Sequence, residues 1–81
     1  MTIFKRRIGP DPHISLDKTP AADGCPDIWE LQSGDFAVIG IRNTKNLKPS
    51  LPSTASCVHD EEIIVIPRNL LIKAKSDIPD F

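Results

Sequence analysis

Two thiols and two imidazoles, Cys25, Cys57, His13 and His59, are the side chains of this sequence best suited to hold a soft metal or to act as nucleophile and base. Structural zinc draws on close-spaced pairs such as C-x2-4-C and H-x3-5-H. Only Cys57 and His59 lie close together, at alternate positions of an extended segment, and the other two are remote from them in sequence. A catalytic thiol needs a nearby cation, imidazolium or helix N-terminus. Nothing in the sequence places one, and Cys25-Pro26 reads as a turn packed against Trp29. These residues therefore read as two part-buried thiols and a surface histidine, with no metal site, no cofactor and no catalytic residue. A disulfide between Cys25 and Cys57 would be worth roughly 3–4 kcal/mol by the loop-entropy model. Without an export signal, the expected compartment is the reducing cytoplasm and the thiols are expected to be free.

The charged groups are read in the same way. Asp60-Glu61-Glu62 runs directly into an apolar strand, where solvated charges guard an aggregation-prone segment. Paired catalytic carboxylates would instead need a cleft that raises one pKa. Lys5, Arg6 and Arg7 form a short basic patch, and Arg42, Lys45 and Lys48 form a second. The candidate phosphate contacts are Lys5, Arg6, Arg7, Arg68, Lys73 and Lys75. Ten basic residues against eleven acidic ones leave a net charge of −1, so counterion release would drive nucleic-acid binding only weakly. Neither G-x-G-x-x-G nor G-K-[ST] occurs, so no glycine-rich phosphate loop is expected. The longest apolar run is far short of the ~20 residues that a membrane span needs.

These side chains must be positioned by a small framework, because 81 residues make one domain with a modest core. Eight prolines interrupt it, four of them before residue 27. Residues 1–24 lack a sustained apolar period and read as a loosely ordered N-terminal arm, with alternation only at His13 to Asp17. Residues 25–81 read as a single small α+β domain. Ile28 to Gln32 and Phe36 to Arg42, joined by Ser33-Gly34-Asp35, predict a β-hairpin over 28–42. Phe36 and Val38 point to one side of its second strand, and Ala37, Ile39 and Ile41 to the other. Gly40 inside that strand suggests a bulge or a close backbone approach. Asn43 to Ser56 reads as a long loop. Ile63 to Ile66 forms the apolar part of a third strand, 62–66. Pro67 then opens a helix over 67–78 with Ile66, Leu70, Ala74 and Ile78 on one stripe, and Leu71 lies beside it.

The run from Cys25 to Gly40 resembles the C-P-D-I-x-E-L-x-x-G-D-F-A-V-I-G core of a group of short uncharacterised bacterial proteins typical of actinomycetes. Those proteins share a later E-x-I-V-V-I-P-R strand followed by a Lys- and Ala-containing helix. Here that block is similar at Glu62-Ile63-Ile64-Val65-Ile66-Pro67-Arg68. The resemblance covers about residues 23–79 and implies no activity. Ile64 to Leu70 is similar to the I-x-I-P-x-x-L turn of swapped-hairpin transcription regulators and antitoxins. Those proteins continue with further strands, whereas this chain ends soon after its helix.

A strand with two apolar sides and only one helix to cover it leaves surface for a partner. The expected function is a non-catalytic protein-interaction or assembly module, either a homo-oligomer or a subunit of a regulatory complex. Trp29, Phe36, Val38 and Ile39 are its candidate partner-binding residues. The alternative is a small dimeric DNA-binding regulator or antitoxin-like protein using the basic residues named above.

Overall fold

The computed structural model describes residues 3–12 and 26–81. The predicted hairpin is present as β2 (Asp27–Leu31) and β3 (Phe36–Ile39), antiparallel with Asp27 opposite Ile39 and Glu30 opposite Phe36. Its turn closes through the Leu31 N–H to the Asp35 carbonyl at 2.8 Å and the Gly34 N–H to the Leu31 carbonyl at 3.0 Å. Gly34 sits at φ +96, a conformation that glycine takes without steric cost.

A further strand precedes the hairpin. Within the stretch read as an arm, β1 (Phe4–Ile8) pairs antiparallel with β2, so the sheet order is β1-β2-β3. Lys5-Arg6-Arg7 obscures this strand in the sequence, because its polar side chains find their partners far along the chain. A bulge lies between Phe4 and Arg6. The alternating stretch His13 to Asp17 lies outside the described residues, as does Cys25.

Beyond β3 the strand is interrupted at Gly40 and the chain continues as β4 (Ile41–Arg42). The third predicted strand appears as β5 (Ile64–Val65), and it pairs with β4 in a separate two-stranded ribbon rather than joining β1-β2-β3. Gly40 explains the switch. A Cβ there would stand 2.6 Å from the Val65 carbonyl oxygen and 2.9 Å from Ile66 Cγ2, so only a bare Cα lets the two backbones approach. The stretch 43–56, expected as a loop, contains the short helix α1 (Thr44–Leu47) and a 3-10 turn, Lys48–Ser50.

The C-terminal helix, α2 (Arg68–Ala74), starts directly after Pro67 and tightens into a 3-10 turn at Lys75–Asp77. As an α-helix it has seven residues against the twelve that the spacing predicts. Leu70 and Ala74 face the sheet and meet Ile8 and Ile28, with Ile66 packed alongside. Ile8 and Ile28 are cross-strand neighbours, so the helix covers β1 and β2. Ile78 and Leu71, expected on or beside the buried stripe, are exposed. Each large aliphatic side chain in this cluster contributes about 1.5–3 kcal/mol by burial, which holds a helix too short to persist alone. No helix among the described residues is long and apolar enough to cross a membrane.

Candidate functional site

Alternation along β2 sends Asp27 and Trp29 to the same side of the sheet, and the register sets Arg7 of β1 opposite Trp29. Arg7 grips the Asp27 carboxylate with two N–H groups, Nε to Oδ1 at 3.0 Å and Nη2 to Oδ2 at 3.1 Å. Its Nη1 donates to Asp11 at 3.2 Å. The guanidinium carbon lies 4.4 Å from the centre of the Trp29 ring, a cation–π contact. Trp29 Nε1–H and the Ile28 N–H also donate to Asp27, at 2.9 and 3.1 Å. Phe4 meets the Trp29 ring edge-on at 5.7 Å between centroids.

Asp27 is only 6 % exposed, and its oxygens accept from four donor groups. Hydrogen bonding to Asp27 holds the Arg7 guanidinium above its ordinary pKa, against a smaller opposing effect of desolvation. Arg7 therefore stays charged at any ordinary pH. On the opposite side, Arg6 pairs with Glu30 at 2.7 Å and donates through Nη2 to the Asp77 carbonyl oxygen at 2.8 Å. The Gly9 N–H donates to the Asp77 carboxylate at 2.9 Å. The Lys5–Arg7 patch thus splits: Arg6 and Arg7 are engaged by carboxylates, and Lys5 is exposed. Arg68, Lys73 and Lys75 are exposed on or just beyond α2, away from that patch in the chain. Trp29 is half-buried under Arg7 rather than displayed.

The other three candidate partner-binding residues lie on β3. Phe36, Val38 and Ile39 are 43 %, 40 % and 53 % exposed, and adjacent strand positions send them to both sides of the sheet. The two edges of the sheet differ. Three basic residues and a bulge guard β1, whereas Phe36-Ala37-Val38-Ile39 carries no charge or proline. The ribbon beyond Gly40 extends the apolar surface through Ile41 and its cross-strand neighbour Val65, both exposed.

Cys57 is a free, buried thiol that donates to the Glu61 carbonyl oxygen at 3.5 Å, and His59 is exposed nearby. His13 lies outside the described residues. Among the described residues no group of three or more His, Cys, Asp or Glu side chains is placed to hold a metal ion. Residue spacing gave no sign of the Arg7–Asp27–Trp29 cluster. The one cue was the pair Asp27 and Trp29 at alternate strand positions, which share a face and a need for polar partners. Comparison with protein-family models, curated proteins and solved structures finds no match.

Proposed function

We propose that this chain is a non-catalytic protein-interaction module that assembles through the β3 edge and the apolar residues beside it. One observation carries this reading: the edge strand β3 holds Phe36, Val38 and Ile39 exposed on its two sides and has none of the charges that normally block strand addition. Partners commonly bind such an edge by adding a strand, with backbone hydrogen bonds supplying affinity and alternate side chains supplying selectivity. The Arg7–Asp27–Trp29 cluster supports the reading indirectly. It ties β1 and β2 into a stiff base for β3, and its polar groups are spent on one another.

Light scattering across a concentration series is the test. The expected result is a mass above the 8.9 kDa of one chain, or retention of a second polypeptide that depends on β3. Val38→Lys is expected to abolish the association that runs through β3 while leaving the circular dichroism spectrum unchanged, because Val38 is part-exposed. A mass of one chain at every concentration, with no polypeptide retained in a Val38-dependent way, overturns the reading.

A further inference from the structure

The side of α2 turned away from the core has its own composition. Arg68, Leu71, Ile72 and Lys75 recur at i, i+3, i+4 and i+7, which places them on one stripe of the helix surface. Leu71 and Ile72 are 54 % and 58 % exposed, and the two cations bracket them. A second surface of the same chain has the complementary composition. The turn from Val58 to Glu61, closed by the Glu61 N–H to the Val58 carbonyl at 2.9 Å, exposes Val58 beside the carboxylates of Asp60 and Glu61. Glu61 uses one oxygen to cap the Val58 N–H at 3.0 Å and stays exposed.

We propose that the α2 stripe docks on the Val58–Glu61 turn of a second copy of this chain, and the reverse, across a two-fold axis. The charge complementarity identifies the occupant. Each copy offers a cation–apolar–cation stripe and an apolar–acidic turn, so one two-fold contact satisfies both twice. A net charge of −1 per chain adds little repulsion between copies. This surface is separate from β3, so the inference goes beyond the function proposed above and stands or falls independently.

Charge reversal tests it on the full chain. Arg68→Glu/Lys75→Glu is one variant, and Asp60→Lys/Glu61→Lys is the other. Each alone sets like charges against like at both contacts and is expected to raise the dimer dissociation constant by about 100-fold or more. Mixed in equal amounts, the two variants restore both contacts and are expected to form a heterodimer at near wild-type affinity. Raising salt from about 0.05 M to about 0.5 M is expected to weaken the wild-type dimer roughly tenfold. Circular dichroism of each variant checks that the fold is kept, and the mixing result cannot come from unfolded chains. A wild-type dimer unaffected by either charge reversal but lost in Val38→Lys overturns this inference and leaves the β3 interface in place. A wild-type monomer at about 1 mM overturns it outright, and so does a failure of the mixed variants to associate.

Discussion

Replacing Asp27 by alanine is the most informative single perturbation of this fold. The carboxylate is almost fully buried and accepts from Arg7 Nε and Nη2, Trp29 Nε1 and the Ile28 N–H. Hydrogen bonds to a charged group are worth about 1.5–3 kcal/mol, and a buried donor left unpaired costs about 1–3 kcal/mol. Arg7 keeps Asp11 and some access to water, which limits the loss. Together these effects give a destabilisation of about 3 kcal/mol. For 81 residues the whole stability is on the order of 4–12 kcal/mol, so the loss is at least a quarter of it. The midpoint of thermal unfolding should fall by roughly 12–24 °C. Urea titration with linear extrapolation measures the effect directly, and the denaturant slope should not change. Asp27→Asn, which keeps an acceptor but loses the charge, should fall between alanine and wild type. The pH dependence follows from Arg7. Its pKa is raised in the folded state, so its contribution is fully present below the ordinary arginine range and is lost only as pH rises through the higher folded value. The difference between wild type and Asp27→Ala should therefore be constant between about pH 6 and about pH 10. A change below about 0.5 kcal/mol in Asp27→Ala would refute the view that this cluster fastens β1 to β2.

Two other substitutions probe the junction between the sheets. Gly40→Ala should cost at least ~2 kcal/mol by chemical denaturation, because the new Cβ would meet the Val65 carbonyl at 2.6 Å and neither backbone can easily yield. Thr44→Val removes the hydroxyl that donates to Glu62 at 2.6 Å and accepts the Ile63 N–H at 2.8 Å. It should cost about 1 kcal/mol and speed hydrogen exchange at the Ile63 amide while leaving amides of β1 and β2 unchanged.

The hairpin and the strand-to-Pro67-to-helix passage were legible because they depend on neighbours in sequence. Alternation, Gly34 in the turn and Pro67 at the helix start are local instructions. The features hidden from the sequence depend on partners far along the chain. β1 reads as three consecutive basic residues until Asp27, Glu30 and Asp77 are brought beside them. The core was displaced for the same reason. With β1 in place, the helix settles on Ile8 and Ile28, and β3 is left about half-exposed on both sides. Gly40 inside an apolar strand marks a point of close approach in the sequence itself. Only the backbone shows that this approach divides the strands into two sheets, since a one-residue break leaves the apolar pattern of Phe36 to Ile41 intact.

The Arg6 and Gly9 bonds to Asp77 join positions 71 and 68 residues apart. During translation, the first strand emerges long before its anchor has been made. Ile8 stays bare until the turn that carries Asp77 has been made, and folding that depends on such distant contacts is slow. The sheet and α2 are therefore expected to form together rather than in chain order, and an unpaired β1 would expose Ile8 in the interval.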